Sequence, residues 1–370
     1  MIPETFHIER FFAAHEFSTP HLLAVSDCES MTVGELLDLE PDARAALEEV
    51  WLGYTPSEGG LELREAVAAT VPGLGPGDVL VHAAGVEVIL TLAHAVLGPG
   101  DHAVVQSPCY QALRSAPAMA GAEVTLWEGE PGALWDWDVE GLESLLRPTT
   151  RLLVVNSPHN PTGHVFTRAE LVHLAELCDA RGIQLFVDEA YRGTERPAEV
   201  EPPPSITALS DTAAALGLLS KSYGLPGLRL GWLTCRSPAL LEAAGRVKDF
   251  TTICAPATAE FLGALALRHH RRLLERTRSL LRRNAALLTE ALSRHPDRFE
   301  WHDPGAGSVG FPLLRRAEAD EFCRRARGEA GVLLAPSSLF GGRAQAIRVG
   351  YGRAAFPRDL QVFEGWLASV

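Results

Sequence analysis

From about residue 78 the chain alternates short apolar or β-branched runs with stretches patterned like helices. The runs are Asp78 to Ala83, His102 to Ser107, Glu123 to Trp127, Arg151 to Asn156, Ile183 to Asp188, Ala215 to Ser220 and Arg229 to Thr234. Helical patterns follow the first four. The clearest spans Thr167 to Arg181, where Thr167 reads as the N-cap and Glu170 completes a capping box. Strands interleaved with helices predict an α/β fold with a largely parallel sheet. Gly98 to Asp101 and the proline-rich Glu199 to Ser205 read as loops between units.

After Ser237 the pattern turns helical. Residues 257 to 295 read as one long arginine-studded amphipathic helix or a pair, their charges forming a solvated face. Strands at Phe299 to His302, Ser308 to Leu314 and Ala346 to Tyr351, with helices near 318 to 329 and 357 to 369, predict a smaller α+β domain. The expected division is a large domain over 45–245 and a small one made from 1–44 and 246–370.

Composition narrows the partners. The 370 residues are 46% apolar and 22% charged, enough for a large core, and the net charge is −14 with histidine neutral. So acidic a chain argues against nucleic acid or an anionic membrane as partner and favours small molecules. No apolar run is long enough to span a bilayer, and the N-terminal segment lacks the basic and apolar regions of a signal peptide, so a cytoplasmic location is expected. The six cysteines, Cys28, Cys109, Cys178, Cys235, Cys254 and Cys323, form no C-x-x-C pair and read as reduced thiols. The thirteen histidines include His269-His270 but no metal-ligand spacing, and surface roles are expected for them.

Lysine usage points to chemistry. Only Lys221 and Lys248 are lysine among the 33 basic residues. Arginine supplies a permanent charge but cannot act as a neutral amine, so a chain that avoids lysine should retain one where a nucleophilic amine is needed. Lys221, within Ser-Lys-Ser-Tyr-Gly-Leu-Pro-Gly-Leu-Arg-Leu-Gly at 220–231, is the candidate; Lys248 reads as a surface residue. Ligands of open α/β sheets gather at the carboxyl ends of strands. Three such ends carry polar groups: Asn156 to Gly163 (Asn-Ser-Pro-His-Asn-Pro-Thr-Gly), Asp188-Glu-Ala-Tyr191 and Ser220-Lys221. Neither lysine lies in a phosphate-binding P-loop, and Gly-Leu-Gly-Pro-Gly at 73–77 precedes a strand, so a nucleotide-binding reading fails.

Together these motifs resemble the class I/II aminotransferases, fold-type I enzymes that use pyridoxal 5'-phosphate (PLP), over about residues 50 to 355. The resemblance implies a mostly parallel seven-stranded sheet with a smaller α+β C-terminal domain. It implies that Lys221 holds PLP as an internal aldimine and shuttles a proton, and that Asp188 pairs with the pyridine nitrogen. Tyr191 and Asn160 would bond the phenolic oxygen, and Tyr110 would stack on the ring. Backbone N–H groups in Gly85-Val86-Glu87, at a helix start, would meet the phosphate with Ser220 and Arg229. Arg348 would clamp the substrate carboxylate, beside Asn160. Tyr54 would reach the phosphate of a neighbouring subunit, which implies a homodimer with shared sites.

Two positions depart from the family pattern. Leu218 stands where a Ser or Thr phosphate ligand is common, and Ser26 to Ser30 (Ser-Asp-Cys-Glu-Ser) replaces the usual Gly-x-Pro segment. If Asp27 or Glu29 faces the site, a substrate with a cationic side chain is favoured. The implied reaction is amino transfer from an L-amino acid to a 2-oxo acid. The same motifs occur in C–S β-lyases and in capreomycidine synthase-type cyclases, and a non-catalytic PLP-sensing regulator is a further alternative that this acidic chain, with its motifs beginning near residue 50, fits less well.

Overall fold

The computed structural model describes residues 4–132, 134–196 and 202–370. Seven strands form its central sheet: β1 (Val79–His82), β2 (His102–Ser107), β3 (Glu123–Glu128), β4 (Thr150–Asn156), β5 (Gln184–Asp188), β6 (Ala214–Leu218) and β7 (Gly231–Cys235). Their spatial order is β1-β7-β6-β5-β4-β2-β3. Only β7 runs against its neighbours β1 and β6; every other pair is parallel. All seven predicted runs are therefore strands, with small shifts at their ends. The sixth stops at Leu218, which leaves Ser220 and Lys221 in the turn beyond it.

Alternation places side chains on both sheet faces. On β4, Leu153 and Val155 enter one core cluster while Leu152 and Val154 enter the other. On β5, Leu185 and Val187 are divided from Phe186 in the same way. Both faces are buried, which is why these runs are apolar throughout.

Helices Gly85–Val96, Gln111–Met119 and Arg168–Arg181 follow β1, β2 and β4. The Thr167 capping box forms as expected: its hydroxyl accepts from Glu170 N at 3.2 Å and its own N–H donates to Glu170 at 2.6 Å. The helical pattern expected after β3 is not an α-helix among the described residues, where only a 3₁₀ stretch, Gly141–Leu145, occurs. Buried Trp135 and Trp137 cover the sheet there instead, and the Trp137 indole donates to the carbonyls of Ser107 and Trp127. The proline-rich loop expected at 199–205 lies partly outside the described residues.

The arginine-rich segment is a pair of helices, Ala257–Arg268 and His270–Ser293. The first packs with Leu63 and Val67 beside the sheet, and the second joins a separate C-terminal core with Phe299, Phe356 and Phe363. The strand expected over 308–314 divides into Val309–Gly310 and Leu313–Leu314, which pair with different partners. Pro312 lies between them and has no N–H to continue a ladder. Near the N-terminus, helix His7–His15 leads to His21–Leu22, which pairs in parallel with Val332–Leu333. No helix among the described residues is long and apolar enough to cross a membrane.

Candidate active site

A cavity of about 410 Å³ opens at the carboxyl ends of the central strands. Register explains part of its floor. Asn156 and Asp188 are the last, paired residues of β4 and β5. The Asn156 side chain donates to the Asp188 carbonyl at 2.7 Å and accepts from Asn160 N–H at 2.7 Å, so it fixes the turn that carries Asn160. Asp188 is buried and accepts from Ala190 N–H at 3.0 Å. Burial pushes its carboxyl up to about 6, with the Ala190 bond and the charge of Lys221 opposing.

Lys221, Asp188, Tyr191, Asn160, Tyr110, Ser220, Arg229, Gly85, Val86 and Arg348 all line this one cavity. Lys221 Nζ donates to Ser26 Oγ at 2.9 Å. Tyr191 is 3% exposed, and its hydroxyl finds no hydrogen-bond partner among the described residues. An unpaired buried hydroxyl is costly, so it marks a place prepared for a ligand atom. Tyr110 packs against Phe6 and donates to Glu9 at 2.8 Å, and burial raises its phenol pKa. Two predicted positions lie elsewhere. Tyr54 is 85% exposed and does not line the cavity, and the Glu87 side chain points away from it.

Arg348 is fully buried between Phe340 and Phe12, its guanidinium carbon 4.9 and 5.6 Å from the two ring centres. Nε and Nη2 donate to the Ala24 carbonyl, and Nη1 donates to Asn160 Oδ1 at 3.1 Å. A guanidinium carries five N–H groups, so one on each Nη remains for a carboxylate in the fork geometry. Burial draws its pKa below the ordinary arginine value.

At the opposite wall, helix Gly85–Val96 begins after a sharp turn at Ala84, with φ 101° and ψ 163°. Such a conformation costs about 1–3 kcal/mol in a residue with a side chain and is typical of ligand-binding turns. It aims the first N–H groups of the helix at the cavity, where Ser220 and Arg229 also reach. A Cβ on Gly85 would lie 2.8 Å from Leu218 Cδ2, so glycine is needed for the helix to sit this low. Leu218 thus gives the cradle an apolar floor.

Sequence reasoning missed the wall built by the N-terminal helix. Ile8, Glu9, Phe12 and Glu16 recur at helical spacing along one face, and all four line the cavity. Burial raises the Glu16 carboxyl, against the pull of Arg353. Of the two acids whose facing the sequence leaves open, Asp27 lines the cavity, yet both its oxygens accept from Arg353, at 2.9 and 3.1 Å. Glu29 does not face it; its carboxylate accepts from Ala354 N–H at 2.7 Å. Lys248 corrects a second expectation. It is completely buried, with Nζ donating to the carbonyls of Ser57 at 2.7 Å and Ile253 at 2.5 Å.

An amine, a buried carboxylate, an orphaned phenol and an anion cradle around one cavity are the parts of a PLP site, and the residues present fit that group. The chain belongs to the class I and II aminotransferases: the model of that family matches residues 21–358. It is 31% identical to capreomycidine synthase of Streptomyces vinaceus, over 93% of this chain and 87% of that protein. It is 28% identical to an arginine–pyruvate transaminase of Pseudomonas aeruginosa, over 86% of this chain and 83% of that one. A crystal structure of a PLP-dependent aminotransferase from Streptococcus suis superposes with a TM-score of 0.93 at 30% identity, covering 100% of this chain and 99% of that one. The fold is therefore fold-type I and the cofactor is PLP.

Proposed function

We propose that the protein is an aminotransferase that moves an amino group from an L-amino acid to a 2-oxo acid. The carrying observation is the convergence of Lys221, Asp188, Tyr191 and the free Arg348 N–H groups on one cavity. Gly85, Val86, Glu87 N–H, Ser220 and Arg229 would hold the phosphate, Asp188 the ring nitrogen, Tyr191 and Asn160 the phenolic oxygen, and Tyr110 the ring face. Bound PLP supplies an electron sink for the pair released at the substrate α-carbon. Lys221 Nζ, once neutral, would take the proton from the substrate α-carbon and pass it on to the cofactor side instead of back to the same carbon, with Ser26 Oγ, which accepts from Nζ at 2.9 Å, orienting the amine. Arg348 binds the α-carboxylate through one N–H on each Nη. Asp188 holds its charge more readily when a cation faces it, so the ring nitrogen would stay protonated.

The substrate side chain, on this reading, carries a positive charge. Glu9, Glu16 and Asp27 line one cavity with Lys221; Arg353 reaches Asp27 and stands 3.7 Å from Glu16, while Glu9 accepts from the Tyr110 hydroxyl. With Lys221, Arg229 and Arg348 assigned to the cofactor and the α-carboxylate, the three carboxylates with only Arg353 among them favour an ammonium or guanidinium group on the side chain. The identity to an arginine–pyruvate transaminase supports this choice. The active unit is proposed to be a homodimer. Tyr54 is exposed near the exposed Trp51 and Leu52, an apolar group that a second copy would cover, which supports this reading.

The test is single-turnover analysis of PLP-loaded protein with basic, aromatic and acidic amino acids, with products identified by mass spectrometry. Appearance of the 2-oxo acid of a basic donor, followed by amino transfer to pyruvate, is expected. Aromatic or acidic donors reacting tenfold faster would discard the cationic wall. A cyclised product or released ammonia would favour the second reading, a PLP-dependent cyclase or lyase, which the 31% identity to capreomycidine synthase supports.

A further inference from the structure

Behind the phosphate cradle lies a buried polar network that faces away from the cavity. Glu87, in the first turn of helix Gly85–Val96, folds back so that one carboxylate oxygen accepts from Ala83 N–H at 2.6 Å. The other oxygen accepts from the hydroxyls of Thr252, at 2.6 Å, and Thr251. Both threonines belong to the loop that follows helix Pro238–Lys248. Lys248, the last residue of that helix, holds the same loop through the Ile253 carbonyl and reaches the Ser57 carbonyl. Thr55 adds a bond from its hydroxyl to the Ala255 carbonyl at 2.8 Å.

The network encloses the strained turn. Ala84 adopts backbone angles that glycine accepts and alanine resists, so something must hold it. On one side is β7, where a Cβ on Gly231 would stand 3.1 Å from the Ala84 carbonyl carbon and 3.2 Å from Gly85 N. On the other is the Glu87 carboxylate on Ala83 N–H. A carboxylate this close to an anion site would repel phosphate unless turned away and balanced in charge. Glu87 is turned away, and its charge is the largest of those favouring protonated Lys248 against burial.

We propose that Glu87 and Lys248 are positioning residues, a buried clamp whose two ends hold the same loop, keep the Ala83–Val86 turn in its phosphate-receiving shape and fasten it to the segments carrying Tyr54 and Phe250. The proposal rests on the reading of Gly85 and Val86 as phosphate donors. It assigns a task to each of the chain's two lysines: one faces the cofactor and the other braces its phosphate site. Removing the clamp should weaken recognition of the phosphate while leaving the rest of the cavity intact.

The experiment compares affinity for PLP with affinity for pyridoxal, which lacks the phosphate, by fluorescence quenching, in the full-length wild type and in Glu87→Gln, Lys248→Met, Thr252→Val and the double variant Glu87→Gln/Lys248→Met. Expected is a tenfold or greater rise in the Kd for PLP in each single charge variant, with the Kd for pyridoxal changed less than twofold. Partial recovery is expected in the double variant, where no uncompensated charge is buried. Thr252→Val, which keeps the side-chain volume, should show a smaller loss of the same kind and serves if a charge variant does not fold. Equal loss of both affinities, or an unchanged ratio of the two in every folded variant, overturns the clamp. Failure of the wild type to bind either compound would instead overturn the PLP-site reading itself.

Discussion

Replacing Asp188 by asparagine should make the cofactor-free protein more stable at neutral pH while weakening PLP binding. The carboxyl is buried, its side-chain bond being the one to Ala190 N–H, and burial raises it from its ordinary 3.8 to about 6. A raised acid favours folding below the unfolded value, and that contribution is lost as pH rises through about 6. The shift corresponds to about 3 kcal/mol withheld from the ionised, cofactor-free protein above that pH. Asparagine keeps an oxygen for Ala190 N–H but never ionises, so Asp188→Asn should recover much of that energy at pH 7.5 and none below about pH 4. For a chain of this length about 3 kcal/mol corresponds to a melting temperature about 4 °C higher. The assay is thermal unfolding of cofactor-free wild type and variant between pH 4 and 8, beside PLP titration at pH 7.5. A variant no more stable than wild type at pH 7.5, or a difference that does not shrink on acidification, would refute the argument that burial of this charge is held in reserve for a cationic ring.

Lys221→Ala should abolish both the visible absorbance of bound PLP and turnover, and Lys221→Arg should restore neither, because guanidinium cannot become a neutral amine. Arg348→Lys should raise KM for the amino-acid donor by about 10- to 100-fold, as a forked contact becomes a point charge, with a smaller change in kcat. Tyr191→Phe should leave the cofactor-free melting temperature unchanged or higher, since the hydroxyl is unpartnered there, yet lower kcat about tenfold; a marked loss of cofactor-free stability would contradict the orphaned hydroxyl.

What the sequence revealed and what it hid follow from how far each residue's partners lie along the chain. Asn156, Asp188 and Lys221 were legible because each directly ends or follows an apolar run, and strand ends in such sheets converge by geometry. Glu9, Phe12 and Glu16 were not, because their helix reaches the cavity through tertiary packing, and an amphipathic segment near a terminus looks the same wherever it docks. Lys248 was misread as a surface residue because its partners are carbonyls of Ser57 and Ile253, and backbone acceptors leave no mark in a sequence. The helix expected after β3 failed for a related reason: its place is filled by Trp135 and Trp137, whose burial is decided by the sheet they cover.

The N-terminal helix has one more consequence. Glu9, Phe12 and Glu16 stand on a stretch that precedes every strand of the sheet, whereas Lys221, Asp188 and Tyr191 are carried by the sheet and its turns. On the proposed reading, the part of the cavity that would meet the variable end of a substrate comes largely from one short stretch, and the part that would meet the invariant end comes from the sheet. Exchanging that short contiguous stretch would redraw the wall, but Phe12 against Arg348 and Glu9 against Tyr110 tie it to the machinery beneath, so those two positions set the limit on what can be exchanged.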